Sequence, residues 1–492
     1  MTAGSFESTS VSVEAHRPTR LPGRALALVV ANATRMGLQL LLIPILARVI
    51  APEAFGLVDL AAPIVVFISI LAEAGLVTGL VRMRASLAAE QAAFWFSAAM
   101  GSACVAAAAL LASPVGRAAH QPGLAPVLWT LSPALLLTCL SIVPSARLQR
   151  TGAFGAFAAS ELFACIAGAG VALWTAMHGW GAQSLVAQQL TQSAVRLGAY
   201  MRLSRFRPRL TFDYGALAPV LTQSAPLLGA NLLTYLSRSL DNILIGFFIG
   251  PRALGFYARA YQTIQVPEFA LGASVRTAAM PAIAHAFDRD AATAVYMRGL
   301  RTISLAATPL VIIASLKAEV LVRLALGPAW APAAQLAAIL APLGLLHACY
   351  QLNTAALIGS GAGRTQFRVS ALIAGLGLLG IIVGLPWGAR GVAAGYAAGT
   401  LIAAGPSFLY VLRALGARPS RLISGVGRAG LAGLAMIGAL LLEGWLAPAR
   451  SPFWDLLQAA LTGLLAYGLA LLVLELIRPA YLVHRPHRLA LA

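Results

Sequence analysis

The sequence predicts an all-α integral membrane protein of about fourteen transmembrane helices, and three observations predict it. The 492-residue chain is 59% hydrophobic and only 10% charged, with a mean hydropathy of +0.82, whereas a soluble domain carries about 25% charged residues. Apolar stretches of about 20 residues, the length that crosses a hydrocarbon core of roughly 30 Å, recur along nearly the whole chain. The basic residues behind a formal net charge of +19 fall mainly in short connections between those stretches. That is the pattern of membrane topology and not of a nucleic-acid partner.

Taken in order, residues 1–24 are polar and read as a cytoplasmic tail. The apolar segment that follows is too long for the core of a signal peptide and reads as a retained first helix. Spans fall near 25–47, 57–81, 91–112, 124–146, 156–177 and 182–201, a first lobe over residues 25–205. A basic connection containing Arg202, Arg205, Arg207 and Arg209 leads to spans near 219–249, 256–284, 302–322, 333–357, 369–386 and 391–412, a second lobe over 206–413. Two more spans, near 429–447 and 455–477, make a trailing pair within 414–478, and 479–492 is a tail. Segment 285–298 mixes charge with apolar residues and is predicted to lie along the cytoplasmic interface. With the N-terminus inside, twenty-three basic residues lie on the cytoplasmic side and eight outside, Arg48, Arg252, Arg259 and Lys317 among the eight. That asymmetry predicts both termini in the cytoplasm and an even number of helices.

Laying residues 31–61 over 230–260 reveals a repeat. Asn32, Leu41, Ile50, Pro52, Ala54 and Gly56 fall on Asn231, Leu240, Ile249, Pro251, Ala253 and Gly255. Helices one to six therefore correspond to seven to twelve. Both halves start on the same side, so they are related by a pseudo-two-fold axis along the membrane normal, with any substrate site expected between them.

Each charge at bilayer depth costs about 2.5–3.5 kcal/mol on insertion scales, so intramembrane polar residues should face the interior. Helix seven carries Ser224, Asn231, Tyr235, Arg238 and Asp241, with Asn242, on one face, and helix one carries Asn32, Arg35 and Gln39 on the equivalent face. Helix two adds Asp59, Ser69 and Glu73, and helix eight adds Tyr261, Gln265, Glu268 and Arg276. Two readings stay open. The stripes converge on a cavity whose Arg35, Arg238 and Arg276 offer planar donor forks to a phosphate, or the charges neutralise one another, as Arg238 and Asp241 could at i,i+3. Glu161 in helix five is placed to pair with a neighbouring helix.

Several classes are excluded. Cys104, Cys139, Cys165 and Cys349 lie inside apolar stretches without metal-ligand spacing and read as core residues. His347, the one histidine inside a span, reads as a packed polar residue. The sole lysine, Lys317, precedes Ala318, so there is no P-loop. No GxSxG or HExxH motif occurs, and no loop is long enough for a catalytic domain. No cofactor or metal is expected, and energy must come from a gradient, the membrane potential or a partner.

The stretch from Leu40, LLLIPILARVIAPEAFGLVDLAAPIVVFISILAEAGLVTGLV, and that from Arg238, RSLDNILIGFFIGPRALGFYARAYQTIQVP, resemble the Wzx-type polysaccharide flippases of the multidrug/oligosaccharidyl-lipid/polysaccharide exporter superfamily. The similarity extends over essentially all the spans. Leu80-Val81-Arg82 stands where relatives often carry a Gln, and Met280-Pro281 where they often carry Phe-Pro. The resemblance implies export of undecaprenyl-diphosphate-linked oligosaccharide units across the bacterial inner membrane for exopolysaccharide or lipopolysaccharide synthesis, by alternating access. It implies that the diphosphate meets cationic residues of helices one, seven and eight, here Arg35, Arg238 and Arg276, with Asn32, Gln39, Asn231, Tyr235 and Gln265 beside them. Asp241, Asn242, Glu73, Glu268 and Asp59 are the candidates for ion coupling. The partners implied are lipid-linked oligosaccharide, membrane lipids, a polysaccharide polymerase and glycosyltransferases. A multidrug or cation antiporter on the same scaffold and an integral-membrane enzyme of glycan assembly are the rivals; three cavity arginines disfavour the former.

Overall fold

The computed structural model describes residues 34–35, 37–39, 41–73, 76–83, 86–446 and 451–477. The described residues form helices: α1 (Gly37–Ala47), then α2 (Pro52–Glu73), α3 (Leu76–Arg82), α4 (Leu87–Ala118), α5 (Leu124–Leu131), α6 (Pro133–Arg150), α7 (Phe154–Met177) and α8 (Ala182–Ser204). The second half runs α9 (Tyr214–Phe248), α10 (Pro251–Pro267), a π-helical turn (Glu268–Gly272), α11 (Ala273–Ala284), α12 (Arg289–Leu316), α13 (Ala318–Ala325), α14 (Ala331–Leu340) and α15 (Leu343–Gly359). It closes with α16 (Gly363–Gly384), α17 (Gly388–Leu415), α18 (Ser420–Leu446) and α19 (Pro452–Ile477).

Short polar side chains start the long helices. Ser86, Asp213 and Asp288 each accept a hydrogen bond from the free backbone N–H three residues on, at 3.2, 3.2 and 2.6 Å, and Pro133 and Pro251 occupy the first turn, where a missing N–H costs nothing. Large apolar side chains such as Leu110, Phe248, Trp445, Leu465 and Leu476 are exposed on the outside. A water-soluble protein does not present such a surface; lipid does. This is a multi-pass membrane protein.

Among the described residues, eight helices are long and apolar enough to cross a bilayer, nine if α14 and α15, bent by 49° at their junction, count as one broken span. One of the eight, Gly363–Leu415, is 53 residues long. A straight helix of that length would reach about 80 Å, far beyond a hydrocarbon core of roughly 30 Å. It is a hairpin, because Gly380 and Gly384 of α16 back onto Gly395 and Gly391 of α17 so closely that a Cβ on Gly380 would lie 2.0 Å from the Gly395 carbonyl oxygen. Helices meet this closely in membranes through small residues.

The repeat is visible as a reciprocal contact. A Cβ on Gly56 would lie 1.7 Å from the carbonyl oxygen of Pro251, and one on Gly255 would lie 2.3 Å from that of Pro52. Since Pro52 and Gly56 are the repeat equivalents of Pro251 and Gly255, α2 and α10 cross at a local two-fold axis. Around it, Trp330 is fully buried, donates Nε1–H to the Ala47 carbonyl at 2.8 Å, and packs edge-on against Phe55 and Phe256 at 5.4 and 6.0 Å. Arg48 donates to the Leu324 carbonyl. The first half of α9 lies in turn against the first lobe, where Gly79 makes room for Ser224.

Segment 285–298 contains the start of α12, where Asp288 is the cap and Tyr296 is fully buried, its hydroxyl donating to Asn353 Oδ1 at 2.8 Å. Three sequence expectations need correction. The eighth span starts at Pro251 and is interrupted after Pro267 by the π turn. Arg259 therefore lies inside α10, 9% exposed, and not in an outer loop. The ninth stops at Lys317, with α13 a separate short helix. The trailing pair docks on α12: Gly433 abuts Thr308, Tyr467 donates to the Leu305 carbonyl at 3.1 Å, and Lys317 pairs with Asp455 at 2.7 Å. All four cysteines are buried.

Candidate functional site

Among the described residues, three clusters of charged side chains hold the candidate site residues, and a fourth joins buried Glu90 of α4 to Arg147 and Arg150 of α6 at 3.7 and 2.5 Å. In the first lobe, Glu161 of α7 is shared by Arg196 of α8 at 3.1 Å and by Arg35, just ahead of α1, at 3.5 Å. Tyr200 Oη donates to Glu161 Oε1, the oxygen that Arg196 also meets, at 2.5 Å. Glu73, at the end of α2, lies near enough to Arg196 to act on it electrostatically. Arg196 meets Glu161 through its Nε, whereas the Nε–H of Arg35 is buried without an acceptor among the described residues, and Arg35 is 39% exposed. An anionic oxygen placed beside Arg35 gains a charge-assisted hydrogen bond from that Nε–H.

The second cluster joins the lobes beside the two-fold contact. Asp59 of α2 receives a two-pronged contact from Arg259 Nη2 of α10, at 2.9 and 2.8 Å, and the guanidinium lies 4.9 Å from the centre of the Phe55 ring. The third lies within the second lobe. Glu268, the first residue of the π turn, accepts from Gln351 Nε2 at 2.7 Å and faces His347 Nδ1 at 3.3 Å. His347 Nε2 is 3.2 Å from Tyr396 Oη, which is 3.2 Å from Tyr261 Oη. Asp241 is close enough to Tyr261 and Tyr396 to act on both electrostatically.

Arg35 and Glu73 thus meet in one lobe, Asp241 and Glu268 at two ends of one network in the other, and Asp59 between them. Tyr235 and Gln265 are half-buried on α9 and α10, Gln39 is exposed on α1, and Asn242 donates its backbone N–H to the Asp241 carboxylate at 2.8 Å. Arg276 is exposed on α11 and makes no ion pair among the described residues. Asn32 lies outside the described residues, as do the side chains of Asn231 and Arg238 on α9. Sequence reasoning passed over Arg196, although an arginine in the apolar span 182–201 carries the same cost that singled out Arg35. It also passed over Tyr396 and Gln351, whose roles depend on contacts between helices far apart in the chain.

An all-helical membrane protein with two interlocked halves and charges held in its interior is a transporter scaffold. Residues 45–335 match the polysaccharide biosynthesis protein family, and the chain belongs to it. It is 25% identical to the succinoglycan biosynthesis transport protein ExoT of Rhizobium meliloti over 65% of this chain and 66% of that protein. It is 27% identical to the lipopolysaccharide biosynthesis protein WzxC of Escherichia coli over 52% of each, and 26% identical to the teichuronic acid biosynthesis protein TuaB of Bacillus subtilis over 33% of this chain and 34% of that one. The match thus spans between one third and just under two thirds of these relatives. The fold is that of the lipid II flippase MurJ, with a TM-score of 0.75 over 92% of this chain and 100% of that one at 15% identity. A multidrug resistance MATE family transporter of the MOP superfamily superposes with a TM-score of 0.61 over 79% of this chain and 98% of its own, also at 15% identity.

Proposed function

We propose that this protein is a flippase, not an enzyme, that moves undecaprenyl-diphosphate-linked oligosaccharide units across the bacterial inner membrane for exopolysaccharide or lipopolysaccharide synthesis. Family membership and the polysaccharide biosynthesis roles of its relatives support the substrate class. The observation that carries the site is the Arg35–Glu161–Arg196 cluster, in which two guanidiniums share one carboxylate and the buried Arg35 Nε–H has no acceptor among the described residues. A diphosphate supplies such acceptors, and the planar guanidinium suits it better than an ammonium would. We assign Arg238 and Arg276 to the same cationic set, and Gln39 and Tyr235 to contacts with the substrate.

The working architecture is fourteen spans in two six-helix lobes, residues 25–205 and 206–413, with both termini in the cytoplasm. The lobes rock about the α2–α10 crossing, opening the interior to one leaflet and then the other. A polymerase and glycosyltransferases act before and after it. The test is export in the host strain. Arg196→Ala and Arg35→Ala should abolish surface polymer at normal protein level and leave lipid-linked units in the inner leaflet. Normal export by both variants would remove the cluster from the mechanism.

A further inference from the structure

We propose that the Glu268–His347–Tyr396–Tyr261 chain of the second lobe is a proton-exchange site, and that its protonation state sets the geometry of the π turn in the eighth span. The inference rests on the transporter reading by naming where a coupling proton sits, and its test needs no transport.

The four groups come from α10, the π turn, α15 and α17, and each is within 3.3 Å of the next. Tyr261 and Glu268 are seven residues apart, so the chain runs about 10 Å along the helix axis. The direction of its hydrogen bonds depends on one proton. With His347 neutral and its proton on Nδ1 facing Glu268, Nε2 accepts from Tyr396 Oη, which accepts from Tyr261 Oη. A proton arriving at Tyr261 passes by two hops. Tyr261 gives its proton to Tyr396, Tyr396 gives its own to His347 Nε2, and Tyr261 keeps the newcomer. Afterwards Nε2 donates to Tyr396, Tyr396 donates to Tyr261, and His347 is an imidazolium facing the Glu268 carboxylate.

Charge follows the proton. Loaded, the His347–Glu268 pair is neutral; unloaded, it leaves a carboxylate that accepts from Gln351. The elements packed against the turn carry Tyr350 on α15, Tyr257 and Tyr261 on α10, Arg276 on α11, and Arg298 and Arg301 on α12, and of these Tyr261 is close enough to Glu268 to be acted on electrostatically. Asp241, acting on Tyr261 and Tyr396, stands at the entry end. The mechanical output lies at the carboxylate. Glu268 opens the π turn directly after Pro267, where the regular backbone ladder is already broken. Gly272 closes the turn against Ala348, and Gly344 receives the Pro267 ring, so α15 and the turn interlock on both sides of the pair. Loss of the ion pair frees the turn to rewind, which rotates α11 and its Arg276 relative to α10.

The purified full-length protein in lipid nanodiscs tests this by two readouts. Nitrogen-15 imidazole spectra, with the His347 signal assigned by its loss in His347→Gln, should show a titration whose midpoint falls by about one pH unit in Glu268→Gln, a tenfold change in proton affinity. Tyr396→Phe breaks the relay but keeps the pair, and should leave that fall intact. Amide exchange over residues 268–273, corrected for its intrinsic pH dependence, should accelerate about tenfold as His347 loses its proton, and not in His347→Gln. A His347 midpoint indifferent to Glu268→Gln, or exchange in the turn that ignores the titration, overturns the proposal. Failure of the flippase reading would appear in the export assay and leave both readouts untouched.

Discussion

Replacing Asp59 with Ala leaves Arg259 charged, 9% exposed and without the carboxylate that meets it at 2.8 Å. Breaking a buried pair from one side costs about 3–5 kcal/mol, far more than the pair contributes relative to apolar residues of similar volume. Asp59 itself is 21% exposed, which favours the lower end, about 3 kcal/mol. The pair ties α2 to α10 beside the Gly56–Pro251 and Gly255–Pro52 contacts, so the loss falls on the junction of the lobes. If that junction is closed in one transport state and open in the other, about 3 kcal/mol shifts their ratio roughly 150-fold. A cysteine placed at Ala253, which is packed against the core beside the crossing, reports this through its labelling rate with a membrane-impermeant maleimide. The four native cysteines are buried and give a low background. Asp59→Ala should speed labelling by at least about tenfold and lower the melting temperature, whereas Asp59→Leu with Arg259→Met should restore both towards the parent. Parent-like labelling and melting in Asp59→Ala would refute the latch.

Other outcomes can be stated briefly. Gly380→Leu drives a side chain into the Gly395 backbone and should cost about 3 kcal/mol or more, seen as loss of the monodisperse peak in size-exclusion chromatography; Gly375→Ala, which meets open space, should be neutral or slightly stabilising. Asp288→Ala removes the cap of α12 and should cost about 1 kcal/mol, read as faster amide exchange over residues 289–292. Collapsing the membrane potential should slow export, because outward movement of an anion gains about 2.3 kcal/mol per charge per 100 mV; undiminished export in vesicles with neither potential nor pH gradient would refute that coupling.

The sequence made the interlocking of the halves legible, because an offset that superposes Pro52 on Pro251 and Gly56 on Gly255 names the residues that meet at the axis. It misplaced Arg259 for a local reason. Pro251-Arg252 reads as a loop when apolar runs are counted, yet proline is well suited to a first helical turn, so α10 begins several residues earlier than the run suggests. It identified Glu268 and His347 as intramembrane polar residues but not as neighbours, since they are 79 positions apart and only packing of α15 on the π turn joins them. The cost of burying an arginine pointed equally to Arg35 and Arg196. What the linear pattern lacks is the shared Glu161 that makes them one site.

The contact at the axis has an ancestry written into it. An interface in which each partner offers the same patch to the other is the geometry of a symmetric dimer of identical subunits. Here both partners lie in one chain, so Pro52, Gly56, Pro251 and Gly255 do for a fused pair what two residues would do twice in a homodimer of half-length chains. Fusion releases the rest of each half from that identity, so that one lobe can hold two arginines around Glu161 while the other holds a tyrosine–histidine–glutamate chain.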